Sequence, residues 1–114
     1  MTKAVFKKEN GLWTSLEVSG HSGYSTEGSD IVCAGISTAV ISSINLLDKL
    51  IENRFEFIRD DKKGYIKIYN FNYHNLSEEI MEFINLIFLN LIDTLKDIEL
   101  SYPKNLNIKI ENNK

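Results

Sequence analysis

The chain has 114 residues, of which 43% are hydrophobic and 25% charged, so it fits one globular domain, residues 1–114, with little room for a second. A formal net charge of −3 argues against direct nucleic-acid binding, because proteins that bind nucleic acids usually present a basic surface. The small size limits the core that can be buried, which favours dimerisation as a further source of stability.

The first predicted elements are two strands joined by a tight turn. Residues 3–9 form the first strand, and Asn10-Gly11 is typical of a hairpin turn because both residues tolerate positive φ. Residues 12–19 alternate between two faces, which predicts a half-buried second strand. One face carries Leu12, Thr14, Leu16 and Val18, and the other carries Trp13, Ser15, Glu17 and Ser19.

A loop and a long helix follow. Residues 20–29 contain three glycines and show no periodicity, which predicts a loop. Asp30 suits the N-terminal cap of a helix, since its carboxylate accepts hydrogen bonds from backbone N–H groups. Helical spacing predicts a largely buried helix with an apolar stripe of Ile36, Val40, Ile44, Leu47 and Ile51, widened by Val32, Ala39, Leu46 and Leu50.

The second half repeats the order of two strands and a helix, then ends on a fifth strand. Residues 54–59 and 65–71 predict strands joined by a polar turn. Ser77 starts a helix that ends before Pro103, and its inner face comprises Ile80, Ile84, Ile87, Leu91, Leu95 and Ile98. Residues 106–110 alternate as the last strand. The order ββαββαβ predicts an α+β fold, an α/β sandwich of two helices packed on a mainly antiparallel five-stranded sheet.

The candidate catalytic residues lie in the loop and at the start of the first helix. If the helix begins near Asp30, Cys33 lies in its first turn, where the positive end of the macrodipole favours a thiolate. A thiolate is a competent nucleophile. Backbone N–H groups of a first turn lack helical partners, so those of Cys33 and Ala34 are predicted to be unpaired and to stabilise an oxyanion.

His21 is the natural partner for this thiol, because imidazole is a base near neutral pH. It precedes Cys33 by twelve residues, and a flexible loop containing Gly20, Gly23 and Gly28 can bring the two side chains together. The alternative interpretation is that Cys33 is a small buried residue and that His21 is a loop residue without a catalytic role.

Two other residues of the segment have less certain roles on residue type alone. Asp30 suits a helix cap better than a proton-transfer group. Ser37, one helical turn after Cys33, either hydrogen-bonds within the site or bonds back to the helix backbone. A metal site is poorly supported because one cysteine, two histidines and no clustered carboxylates give too few ligands. The chain also lacks the P-loop motif, and no cofactor is expected.

The same sequence predicts a cytoplasmic protein without a membrane partner. The first residues lack the apolar stretch of a signal peptide, and the apolar residues 80–91 are interrupted by Glu82, Asn85 and Asn90. A single cysteine forms no intramolecular disulfide and suits a reducing compartment.

Residues 20–37 read GHSGYSTEGSDIVCAGIS. This segment resembles the signature of the ribosomal-processing cysteine protease family, Prp: Gly-His, a short glycine-containing loop, then Asp-Ile-Val-Cys-Ala and a nearby serine. Gly20-His21, Gly28, residues 30–35 and Ser37 match this pattern, and Tyr102-Pro103 resembles the end of the family's second helix. Ser22 departs from it, since the family usually has alanine there.

The resemblance implies a cysteine endopeptidase that removes the short N-terminal extension of a large-subunit ribosomal protein of the L27 type. It implies that Cys33 is the nucleophile and His21 the base, that Asp30 and Ser37 support the site, and that no cofactor is needed. It also implies a homodimer with a mobile loop between the histidine and the cysteine. Two alternatives remain: a non-catalytic module that binds ribosomal protein, and a thiol redox sensor based on Cys33.

Overall fold

Seven elements make up the computed structural model, which describes residues 1–26 and 28–114. Residue 27, part of the predicted loop, lies outside the described residues. The order ββαββαβ is confirmed, although the third strand starts later and the fourth ends earlier than predicted. The elements are β1 (Thr2–Glu9), β2 (Leu12–Ser19), α1 (Ile31–Leu50), β3 (Glu56–Asp60), β4 (Tyr65–Tyr69), α2 (Glu78–Ser101) and β5 (Leu106–Asn113).

The strands form one mixed sheet in the order β3-β4-β2-β1-β5. β1 and β5 are parallel, and the other three neighbouring pairs are antiparallel, which confirms the mainly antiparallel sheet. Ser19 at the end of β2 pairs with Tyr65 at the start of β4. The turn between β3 and β4 therefore lies beside the first residues of the glycine-containing loop.

Both helices bury one apolar side in a single core with the sheet. α1 contributes Val32, Ile36, Val40, Ile44 and Leu47, and α2 contributes Ile84, Phe88, Leu91, Ile92 and Leu95. The predicted burial of Leu46 is wrong, because its side chain is 53% exposed. Leu46 is rotated by about 100° from the buried Leu47, and at this position that rotation carries its side chain out of the core. The buried stripe of α1 is thus narrower than predicted.

By length and composition alone, α1, with its 20 residues, is long and apolar enough to pass as a membrane-spanning helix. That is weak evidence, because core helices of globular domains meet the same two criteria. Here the buried side of α1, including Val40 and Ile44, packs within the common core.

Trp13 lies in the core, contrary to the predicted strand faces. The β1–β2 register shifts between Lys7 and Lys8, and the extra residue falls in β2. This β-bulge turns Trp13 to the same face as Leu16, whereas strict alternation would place them on opposite faces. The indole stacks on Phe88 with ring centroids 5.1 Å apart, so the bulge supplies a large aromatic contact between sheet and helix.

We expect Leu95→Ala in α2 to lower the free energy of unfolding by about 2–5 kcal/mol, because it leaves a cavity in the core. Leu95 is fully buried, whereas Leu100 on the same helix is 83% exposed. Leu100→Ala is therefore the matched control, expected to change stability by less than about 0.5 kcal/mol. Urea unfolding of both variants measures the difference, and equal losses would contradict the described core.

Candidate active site

Cys33 is the third residue of α1, and Asp30 is the N-cap of that helix, as predicted. The Asp30 Oδ1 atom accepts a hydrogen bond from the Cys33 backbone N–H at 2.9 Å. The Cys33 side chain is half-buried. The thiol thus lies at the positive end of the helix macrodipole and within reach of the protein surface.

The prediction that the Cys33 and Ala34 backbone N–H groups are unpaired is wrong. The first donates to the Asp30 carboxylate, and the second donates to the Asp30 carbonyl at 3.0 Å as the first helical hydrogen bond. A capping side chain accepts hydrogen bonds from backbone N–H groups that would be unpaired at an uncapped helix end. Neither N–H group is therefore free for an oxyanion in this conformation.

The second carboxylate oxygen of Asp30 anchors the loop that precedes the helix. Oδ2 accepts hydrogen bonds from the Ser22 hydroxyl and from the backbone N–H groups of Tyr24 and Ser25, at 3.1 and 3.3 Å for the two backbone donors. Ser22 is 1% exposed. Burial by itself raises the pKa of the Asp30 carboxyl, but the hydrogen bonds outweigh it and hold the pKa below its ordinary value of 3.8.

The first part of the loop is also attached to the edge of the sheet where β1 and β5 begin. The Thr2 hydroxyl donates to the Gly20 carbonyl at 3.2 Å, and the Asn105 side-chain amide donates to the Ser22 carbonyl at 3.1 Å. Tyr24 packs edge-on against Tyr102. These contacts fix the backbone on both sides of His21. The His21 ring itself contacts the β3–β4 turn.

The exposed His21 side chain lies against that turn. Its Nε2 atom is 3.3 Å from the Lys62 carbonyl oxygen, and the preceding backbone N–H, that of Gly20, donates to the Gly64 carbonyl at 2.9 Å. Among the hydrogen bonds of residues 1–26 and 28–114, none joins the His21 ring to the Cys33 sulfur. The imidazole and the thiol are therefore held by different elements, the β3–β4 turn and α1.

Both side chains nevertheless line one cleft of about 500 Å³. Cys33 lies on the helix side, and His21 lies on the side of the sheet and its turn. The volume falls within the usual range for small-ligand pockets. Other residues that line the cleft include Val18, Gly20, Gly28, Asp30, Ala34, Ile36, Ser37, Arg59, Asp61, Gly64, Tyr65 and Ile66.

The arrangement of thiol, imidazole and cleft agrees with a comparison of the whole sequence to known families. The family described as "Cysteine protease Prp" matches residues 1–107. The chain belongs to this cysteine protease family. The ribosomal processing cysteine protease Prp of Staphylococcus aureus (strain NCTC 8325) is 27% identical over 108 residues, which cover 95% of this chain and 96% of that protein. The Prp of Bacillus subtilis (strain 168) is 29% identical over 97 residues, covering 82% of each chain.

A solved Prp structure has the same fold. It is described as an essential ribosomal processing protease Prp from S. aureus in complex with a covalently linked product peptide. It superposes with a TM-score of 0.81 at 27% identity, and the match covers 97% of this chain and all of that one. The predicted α+β fold of a Prp protease is thereby confirmed.

In this Prp chain, the predicted dyad residues His21 and Cys33 share the cleft with Asp30, Ala34 and Ser37. Of the loop glycines, Gly20 and Gly28 line the cleft too, whereas Gly23 lies in the same loop with positive φ. Among the described residues, no group of three metal-binding side chains is close enough to hold an ion.

Sequence analysis missed Arg59 near the end of β3 and the β3–β4 turn, which contributes Asp61 and Gly64 to the cleft and the Lys62 carbonyl beside His21. The only signal in the sequence was the polar run at residues 60–64, which predicts a turn without showing what lies against it. Asn105, which holds the loop through its side chain, gave no signal at all.

We expect the stabilising effect of the Asp30 carboxylate to disappear in acid. Because the folded-state pKa lies below 3.8, the carboxylate stabilises the fold above that pH, and the effect is lost as the pH falls through the folded value. Asp30→Asn keeps the shape without the charge. Its melting temperature should be lower than wild type at about pH 7 and should approach it at about pH 2. A difference that does not change with pH would contradict the assignment.

Proposed function

We propose that this Prp chain is a cysteine endopeptidase that removes the short N-terminal extension of a large-subunit ribosomal protein of the L27 type, with Cys33 and His21 as its dyad. The observation that carries the proposal is the placement of a half-buried thiol at a helix N-terminus and an exposed imidazole on two walls of the same cleft. The names of the S. aureus and B. subtilis relatives, which describe ribosomal processing, support the substrate class.

The reaction follows from the chemistry of the two groups. His21 takes the proton of the Cys33 thiol, and the sulfur attacks the scissile carbonyl carbon to give a tetrahedral oxyanion. The carbon–nitrogen bond breaks as His21 returns the proton to the leaving amine, which leaves a thioester on Cys33. His21 then deprotonates a water molecule that hydrolyses the thioester, so that thiol and imidazole return to their starting state.

The dyad must be completed when substrate binds, since no hydrogen bond joins its members among the described residues. Catalytic hydrogen bonds are often long in free enzymes and tighten in the substrate complex. We propose that the loop with Gly20, Gly23 and Gly28 closes over the bound peptide. Its release from Asp30 Oδ2 would free the backbone N–H groups of Tyr24 and Ser25, which hold the loop there.

The cleft suits an apolar peptide segment. Val18, Ile36, Tyr65 and Ile66 supply apolar surface, and the charged pair Arg59–Asp61 lies at one side with a 2.7 Å contact. The product peptide in the S. aureus Prp structure supports a protein substrate for this chain as well. We propose that it acts in the cytoplasm on the ribosomal protein precursor, without contacting nucleic acid or membrane.

Cys33→Ala and His21→Ala should each reduce cleavage of the precursor by about a thousand-fold or more, because each removes a group that forms or breaks bonds. Intact-mass analysis of the organism's own L27-type precursor measures the loss of the N-terminal extension. Circular dichroism of both variants controls for folding. Equal cleavage by wild type and Cys33→Ala would exclude the thiol mechanism, and binding without cleavage would favour a non-catalytic module.

We also propose that the protein is a homodimer that pairs through its helical face. A groove between α1 and α2 contains the exposed side chains of Leu46, Phe83 and Leu86. Its other lining residues are Ser42, Ser43, Leu50, Ile87 and Asn90, so none of the described residues that line it is charged. An uncharged apolar surface can meet an identical copy across a twofold axis without like-charge repulsion.

Phe83→Glu should shift this dimer toward monomer, because the two copies would bury like charges against each other. Leu100→Glu is the control, since Leu100 is more exposed on the same helix and does not line the groove. Sedimentation velocity at several concentrations gives the dissociation constant, which we expect to rise by about tenfold or more for Phe83→Glu alone. A monomeric wild-type protein would refute the dimer.

A further inference from the structure

The ring of His21 is held by the main chain of the β3–β4 turn. Nε2 lies 3.3 Å from the Lys62 carbonyl oxygen, an interaction between residues 41 positions apart. A carbonyl oxygen only accepts hydrogen bonds, so this contact requires a proton on Nε2. In the neutral imidazole, Nδ1 then carries the lone pair.

The position of this carbonyl is fixed by several backbone contacts. The Gly64 N–H donates to the Asp61 carbonyl at 3.3 Å, and the Lys63 N–H donates to the Asp60 carboxylate at 3.2 Å. The turn is joined to the histidine segment by the 2.9 Å hydrogen bond from the Gly20 N–H to the Gly64 carbonyl. The acceptor and the histidine backbone therefore belong to one hydrogen-bonded unit of the sheet.

Gly64 leaves space for the imidazole. It has a φ of +60°, and a Cβ atom there would lie 3.1 Å from His21 Cε1 and 3.0 Å from the Gly20 carbonyl oxygen. Both distances are shorter than ordinary van der Waals contacts. A side chain at this position would displace either the ring or the backbone that carries it.

The carboxylates near the cleft are engaged elsewhere. Both oxygens of Asp30 accept hydrogen bonds from the loop and the helix start, and Asp61 pairs with Arg59 at 2.7 Å. Asp60 accepts the Lys63 N–H. Within residues 1–26 and 28–114, the His21 ring has its hydrogen bond to the Lys62 carbonyl.

We propose that the Lys62 main-chain carbonyl orients the catalytic histidine. The β3–β4 turn would then position the base of the Cys33–His21 dyad. The proposal rests on the proposed peptidase function. The Nε2–H group donates to the carbonyl and leaves Nδ1 facing the cleft, where it accepts the thiol proton from Cys33. The imidazolium formed in this step keeps its Nε2–H bond to the carbonyl, which stabilises the positive charge.

The tautomer of His21 tests this geometry without any substrate. A long-range ¹H–¹⁵N spectrum of the wild-type protein at a pH where His21 is neutral should show the Nε2–H form of His21. His74, the other histidine and an exposed loop residue, provides the reference. In Gly64→Ala, the His21 cross-peaks should move toward those of His74. A wild-type Nδ1–H tautomer, or no change on substitution, would overturn the proposal.

Kinetics on two glycine variants separate positioning of the base from backbone strain. Gly11 in the β1–β2 turn also has positive φ, but a Cβ there would have no atom of the described residues within 4 Å, its two chain neighbours apart. Gly64→Ala should lower kcat by about tenfold or more with little change in KM, because small misplacements of a catalytic group are costly. Gly11→Ala introduces similar strain and should keep kcat within about twofold of wild type.

Equal loss of kcat in both variants, or an unchanged kcat in Gly64→Ala, would overturn the proposal while leaving the peptidase function intact. If the protein is not a peptidase for this precursor, both wild type and Cys33→Ala would leave the precursor mass unchanged. In that case the tautomer of His21 and its response to Gly64→Ala still decide whether the turn holds the ring.

Discussion

The carboxylate of Asp30 is the contact on which the site depends. One oxygen caps the helix that carries Cys33, and the other holds the loop through Ser22, Tyr24 and Ser25. A carboxylate offers about four acceptor positions, and here four donors occupy them. Its negative charge lies at the same helix end that favours a thiolate, so these donors also disperse a charge that would oppose thiolate formation.

The two reactive side chains come from different parts of the fold. Cys33 belongs to the first turn of α1, whereas His21 contacts the β3–β4 turn of the sheet. The loop between them is attached to both through Asp30 and the sheet edge. The distance between thiol and imidazole therefore depends on how the first turn of α1 lies against the sheet.

The features that depend on neighbours in sequence were predictable. The Asn10-Gly11 turn, the Asp30 cap and the helical spacing follow from local rules, and the structure has all three. The burial of Trp13 and the contact between His21 and the β3–β4 turn were not predictable. The first depends on a bulge that reverses strand alternation, and the second on strand pairing between distant segments. The first-turn N–H groups were predicted to be unpaired, which is wrong because the Asp30 cap itself occupies the Cys33 N–H. A cap and an oxyanion site at the same helix end compete for the same donors.

The close approach of Met1 to the loop of residues 20–29 affects where the protein tolerates a fusion partner. A Cβ atom on Gly20 would lie 2.7 Å from the Met1 carbonyl oxygen, and one on Gly23 would lie 3.9 Å from the Met1 nitrogen. Residues added before Met1 therefore begin beside the loop that we propose to close over substrate. The other end of β5 hydrogen-bonds to Asn10, at the opposite edge of the parallel β1–β5 pair. An affinity tag or fluorescent protein attached after Lys114 starts far from the cleft and leaves the loop unobstructed.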